Sequence, residues 1–202
     1  MSGESLPLAA QFRAGKRRLG IAAHRYRLRY ASDPPTLDAD RAIETLGSDG
    51  HVLILCFGNI CRSPMAERYL RDQRDGKVGS LIFESAGFFE REGRPSPPEA
   101  IEAATAFDVD LSDHSSRRVS AEMVDRSDIV LLMDVRNLRR FRETFGQLDE
   151  TYLLGAFGPS PDFEITDPYG ADLDHFTAIY SEIVHASDHI LNRLRESHAS
   201  RQ

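Results

Sequence analysis

Past residue 50 the chain alternates short apolar runs with stretches in which apolar side chains return every three or four positions. Residues 51–55 (HVLIL) and 128–133 (DIVLLM) are almost unbroken apolar runs, the pattern of strands covered on both faces of a parallel sheet. Residues 81–86 (LIFESA) and 151–154 (TYLL) read as two further strands. Helical periodicity fills the intervals at residues 64–74, 98–107, 120–126 and 135–145, and a long final helix is expected over 173–195. Such alternation predicts an α/β fold of three layers, α/β/α, around a central four-stranded parallel sheet. Ligands in these sheets lie beyond the carboxyl ends of the strands. The loop after the first strand, residues 56–63, lies at that edge and is the predicted phosphate-binding loop.

Before residue 50 the pattern is different. Residues 12–30 (FRAGKRRLGIAAHRYRLRY) carry Arg13, Lys16, Arg17, Arg18, Arg25, Arg27 and Arg29 and no acid, although the chain as a whole has a net charge of −7. Phe12, Leu19, Tyr26 and Tyr30 recur at near-heptad spacing and predict a basic amphipathic helix, weakened by Gly15 and Gly20 at about 1 kcal/mol each. SDPPT at 32–36 ends it, and a short helix over 37–46 follows with Thr36 as its cap. Residues 1–50 are therefore read as a basic N-terminal extension and 51–198 as the main domain. Two kinds of docking surface suit the extension: an acidic membrane surface or partner, or the acidic body of the same molecule. The second is favoured, because Phe12, Tyr26 and Tyr30 supply apolar area to bury.

The acidic balance and the lack of an aromatic-basic face argue against a nucleic-acid partner. No apolar run reaches the roughly 18 residues of a membrane span, and the first residues lack a secretory pattern, so a cytoplasmic protein is expected. The two cysteines, Cys56 and Cys61, stand too close together to form the disulfide framework of a secreted fold.

Their loop suits an anion. Backbone N–H groups from Phe57, Gly58, Asn59, Ile60, Cys61 and Arg62 can curl around an oxyanion at the start of a helix. Gly58 and Asn59 tolerate the positive φ that such nests require. Arg62 offers a planar fork to two oxygens of a phosphoryl group. A thiol at Cys56 beneath those donors is held as the nucleophilic thiolate, with Ser63 able to hydrogen-bond the sulfur. A bland reading competes, since a cysteine at a strand end is often a small buried hydrophobe.

The full string CFGNICRSPMAE decides between them, because it resembles the signature of the low-molecular-weight protein tyrosine phosphatases. SAG at 85–87, LSDHSSRRV at 111–119, DIVLLMDVRNLRRF at 128–141 and DPYG at 167–170 follow in the family's order, so the resemblance spans residues 51–195. It implies hydrolysis of protein phosphotyrosine through a cysteinyl-phosphate intermediate, with Cys56 as nucleophile, Arg62 as clamp and Asp167 as general acid, and with no metal or cofactor. It implies that Asn59, Ser63 and His114 support the loop, that Phe88, Phe89 and Tyr169 wall the substrate ring, and that Asp134 supports the fold. Cys61 has two readings, a reversible disulfide partner of Cys56 or a small residue packed under the loop. The resemblance is nearer to bacterial members, which makes tyrosine-phosphorylated proteins the expected partners, among them a bacterial tyrosine kinase of exopolysaccharide production. Arsenate reduction on the same scaffold and a silent phosphotyrosine reader are the alternatives. His185 and His189 have helical i, i+4 spacing, but no third ligand accompanies them and no metal site is expected.

Overall fold

The computed structural model of the chain describes residues 35–74, 78–158 and 163–200. The basic helix expected over residues 12–30 lies outside them. Helix α1 (Pro35–Thr45) opens on a proline, whose fixed φ suits the first helical position, so Thr36 falls inside the first turn rather than capping it. Strand β1 (His51–Cys56), helix α2 (Arg62–Gln73), strand β2 (Ile82–Gly87), helices α3 (Pro98–Thr105) and α4 (Ala121–Asp125), strand β3 (Ile129–Leu132), helix α5 (Val135–Phe145), strand β4 (Thr151–Leu153), a 3-10 turn (Leu154–Phe157) and helix α6 (Leu173–Ala199) follow.

The four strands are all parallel, in the order β2-β1-β3-β4. Central β1 is buried along its whole length, as its unbroken apolar run predicts. Successive side chains of a strand point to opposite faces, and this alternation builds the three layers. Val52, Ile54 and Cys56 join the larger core, with Met65 and Leu70 of α2, Ala103 of α3 and Tyr180 and Ile183 of α6. Leu53 and Leu55 join the smaller one, with Met123 of α4 and Leu138 and Phe141 of α5. The sulfur of Cys56 is thereby directed to the larger-core face.

Helix α1 belongs to that larger core. Ala39, Ala42, Ile43 and Leu46 are buried in it, and Asp40 meets His189 of α6 at 2.9 Å. Ser197 Oγ donates to the Glu44 carbonyl at 2.7 Å, and Arg193 pairs with the Glu44 carboxylate. These contacts carry α6 beyond the expected residue 195, where His198 is still buried. The 3-10 turn was not legible in the apolar run TYLL. Within it Gly155 permits a close approach, since a side chain there would stand 2.5 Å from the Phe163 carbonyl oxygen. Among the described residues no helix is long and apolar enough to cross a membrane.

Candidate active site

Residues 57–61 carry the chain from the end of β1 to the start of α2, two residues earlier than the periodicity suggests. Pro64 is tolerated there because an N–H in the first turn has no intrahelical acceptor. The single left-handed residue of the loop is Asn59, at φ 51°, a conformation asparagine accepts better than most side chains. Gly58 does not share it. A side chain at Gly58 would instead stand 3.3 Å from Arg94 Nη2, so this glycine makes room for a neighbour. Gly87 of the SAG motif has a related role, because a Cβ there would lie 2.8 Å from the Asn59 nitrogen.

Asn59 organises the floor. Its N–H donates to Cys56 Sγ at 3.2 Å, and its Nδ2 donates to Ser63 Oγ at 3.0 Å and Ser85 Oγ at 2.9 Å. Its Oδ1 accepts from the Arg117 N–H at 2.9 Å. Its carbonyl accepts from His114 Nε2 at 2.6 Å, which fixes that ring nitrogen as the proton-bearing one. Burial lowers the His114 pKa, against the favourable contact with the Asn59 carbonyl and the charge of Glu67, and the neutral ring suffices as donor. Ser63 Oγ donates to Cys56 Sγ at 3.1 Å, so the nucleophilic sulfur receives two hydrogen bonds.

Arg62 is 1% exposed. Its Nη1 donates to Asp134 Oδ2 at 2.8 Å and to the Ile165 carbonyl at 2.9 Å, while Nη2 pairs with Asp167 Oδ2 at 3.0 Å. Its Nε is buried with no hydrogen-bond partner among the described residues, a donor left for a ligand. Burial opposes the charge, but Cys56, Asp167 and Asp134 outweigh it and hold the guanidinium more firmly protonated than a free arginine. Asp134 does more than support the fold. Its Oδ1 caps α5 through the Asn137 N–H at 2.7 Å, and its Oδ2 orients Arg62.

Asp167 stands on the loop before α6, its side chain 45% exposed. Ile165 anchors that loop with both of its backbone groups, N–H to the Met133 carbonyl at 2.8 Å and carbonyl to Arg62. Cys61 is buried and unbridged. Burial, then the charges of Cys56 and Asp167, pushes its thiol well above the ordinary value and keeps it neutral.

Above the sulfur opens a cavity of about 250 Å³ lined by Cys56, Phe57, Gly58, Ile60, Cys61, Phe89, Arg94, Asp167 and Tyr169. Phe57 and Phe89 pack edge to face at 5.8 Å, and both are partly exposed. Phe88 is not a wall of this cavity. It is 7% exposed within the smaller core, because consecutive residues of an extended segment point to opposite sides. Arg94, Ser85 and Arg117 were missed: Arg94 lies in a stretch (FFEREGRPSPPEA) with no readable pattern, and the other two act at long sequence range. His185 and His189 turn to the Ser181 carbonyl and to Asp40, respectively. A second cleft, of about 460 Å³, lies under α1 and carries Asp49, Asp128 and Glu150, a lining hostile to phosphate.

The sequence model of the low molecular weight phosphotyrosine protein phosphatases matches residues 51–200. The chain belongs to that family. It is 32% identical over 144 residues to a probable low molecular weight protein-tyrosine-phosphatase, EpsP, of Ralstonia nicotianae, covering 71% of this chain and 95% of the relative. The phosphatase Wzb of Escherichia coli K12 is 33% identical over 132 residues, covering 65% and 86% of the two chains. Among solved structures, the YwlE arginine phosphatase of Geobacillus stearothermophilus superposes with a TM-score of 0.68 at 27% identity, covering 76% of this chain and 97% of that one. The tyrosine phosphatase Wzb of Escherichia coli K30 in complex with sulphate gives 0.64 at 27%, covering 72% and 99%. The family places the chain among the phosphoric monoester hydrolases, and the four-stranded parallel sheet is the architecture these neighbours share.

Proposed function

We propose that the chain hydrolyses phosphotyrosine in proteins through a cysteinyl-phosphate intermediate. One observation carries the reading: a sulfur receiving two hydrogen bonds from its own loop stands beside a buried arginine that is paired with a loop carboxylate. Cys56 Sγ attacks phosphorus, and the P–O bond to the aryl group breaks. Asp167 in its acid form gives its proton to the leaving phenolate. Arg62 and the loop N–H groups hold the equatorial oxygens through the transition state, supplying the positive charge that a metal supplies elsewhere. Asp167, now a carboxylate, takes a proton from the water that attacks the phosphocysteine, and phosphate leaves with the thiolate restored. No metal or cofactor enters these steps.

Phe57, Ile60, Phe89 and Tyr169 favour a flat apolar ring in the cavity, which supports phosphotyrosine over the phosphoarginine suggested by the YwlE neighbour. A silent reader has no use for an acid paired to the clamp. A thiol relay for arsenate reduction lacks a cysteine beyond Cys61. Tyrosine-phosphorylated proteins of the cytoplasm are the proposed partners, a tyrosine kinase of exopolysaccharide production among them, and an Asp167→Ala variant is the means to trap them.

Steady-state hydrolysis of phosphotyrosine, phosphoarginine and arsenate-linked reduction, with mass analysis of a quenched reaction, tests the assignment. Phosphate is expected on Cys56, and Cys56→Ser is expected to lose turnover while keeping its fold. Near-normal turnover in that variant, or a preference for phosphoarginine, overturns it.

A further inference from the structure

Resting on the phosphotyrosine reading, the cavity mouth carries a charge pattern that the chemistry of phosphate transfer does not use. The Arg94 guanidinium lies over the Phe89 ring, 4.2 Å from its centroid, and the Arg140 guanidinium over the Phe57 ring, 5.1 Å from its centroid. Those two rings are themselves in edge-to-face contact. Two cations thus stand at one rim, reached from different elements, the 88–97 segment and helix α5.

Neither cation has a carboxylate partner among the described residues. Arg94 spends Nη2 on the Gly58 carbonyl and Nε on the Arg91 carbonyl, neutral acceptors that leave its charge unbalanced and its Nη1 donors unused. The Arg140 guanidinium makes no hydrogen bond or ion pair among the described residues and lies over the Phe57 ring. Several other arginines of this acidic chain do have carboxylate partners: Arg117 and Arg126 share Glu84, Arg68 meets Asp113, and Arg139, beside Arg140, meets Glu143. Arg94 is also held in place, since its N–H donates to Ser116 Oγ at 3.0 Å and its carbonyl accepts from the Ser116 N–H at 2.9 Å.

We infer that Arg94 and Arg140 select phosphotyrosine segments with an acidic side chain within two positions of the phosphotyrosine. An extended substrate advances about 3.3–3.6 Å per residue, so the neighbours of a tyrosine seated on Cys56 pass over this rim. Phosphate alone does not need them, because the floor already balances it with Arg62 and the loop N–H groups. A flanking carboxylate is the group that completes the two unpaired guanidinium ions, and a flanking lysine is repelled by them.

The test is a set of phosphotyrosine peptides of one length carrying Glu, Gln or Lys at the positions flanking the phosphotyrosine, with free phosphotyrosine as reference, assayed with the full chain. The readout is the ratio of kcat/KM for the Glu peptide to that for the Gln peptide within one enzyme, so a general loss of activity cancels. Exposed ion pairs being modest, the expected ratio is about fivefold at low salt, carried by KM and falling towards one at high salt. Arg140→Gln is expected to reduce the ratio and Arg94→Gln with Arg140→Gln to abolish it. A ratio near one in the unaltered enzyme, with free phosphotyrosine still hydrolysed, overturns the inference and leaves the phosphotyrosine reading standing. A ratio unchanged by both substitutions also overturns it. Failure to hydrolyse free phosphotyrosine removes the reading on which it rests.

Discussion

The floor and the mouth of the cleft are built in opposite ways. On the floor Asn59 alone is tied to Cys56, Ser63, Ser85, His114 and Arg117, and Arg62 to Asp134, Ile165 and Asp167. At the mouth Phe57 and Phe89 are each 39% exposed and Tyr169 68%, and the two phenylalanines are held by each other's rings and by stacked cations. A reacting atom must be held to fractions of an ångström, which takes several independent bonds per group. A substrate ring tolerates looser walls. Damage on the floor therefore propagates, whereas damage at the mouth stays local.

The widest separation between the two regions comes from Asp167, which sits between them. Asp167→Asn is expected to lower turnover of esters with poor leaving groups by about 10²–10⁴-fold, and much less where the phenolate needs no proton. A comparison of kcat across substituted phenyl phosphates checks this, and an equal loss for every leaving group removes Asp167 from the acid's role. Arg62→Lys comes next. It keeps a charge but loses the fork that meets Asp134, Ile165 and a phosphoryl group together, and kcat is expected to fall by about 10²–10³-fold. Wild-type efficiency in that variant contradicts the clamp.

His114 tests the floor without touching substrate. Its folded pKa is depressed by burial, so the unfolded chain binds the extra proton first. The stability it contributes is complete above the ordinary histidine value of about 6.5 and is lost as pH falls through the lower folded value. Urea midpoints measured from pH 7.5 to 5 are expected to fall less steeply for His114→Asn than for the unaltered chain, and parallel curves contradict this. The smallest effect belongs to the mouth. Tyr169→Ala removes one exposed ring and is expected to raise KM for aryl phosphates about two- to tenfold with little change in kcat.

This contrast also divides what was legible in the sequence. β1 and β3 announce themselves through unbroken apolar runs, and Cys56, Asn59, Arg62 and Ser63 fall within eight residues whose spacing is set by a strand, a turn and a helix. Asp167 was legible by resemblance, yet its pairing with Arg62 closes a gap of more than a hundred positions that no local pattern encodes. Phe88 and Phe89 look alike in sequence, and the side each takes is decided by the pleat. Asp134 reads by resemblance only as support for the fold; its cap on α5 and its second oxygen on Arg62 become visible only in the structure, with β1 and β3 adjacent. Arg94 and Arg140 carry no local signal at all, because a stacked cation is defined by its partner ring.

The clasp between α1 and α6 bears on how the chain is made. Asp40 and His189 stand 149 positions apart, as do Glu44 and Arg193. At ordinary rates of translation the ribosome needs roughly 7–30 seconds to cover that distance. Ile43 and Leu46 are therefore synthesised long before the helix that covers them. Until then their apolar stripe has at most the 3-10 turn (Leu154–Phe157) against it, and release of α6 from the exit tunnel is the event that seals it.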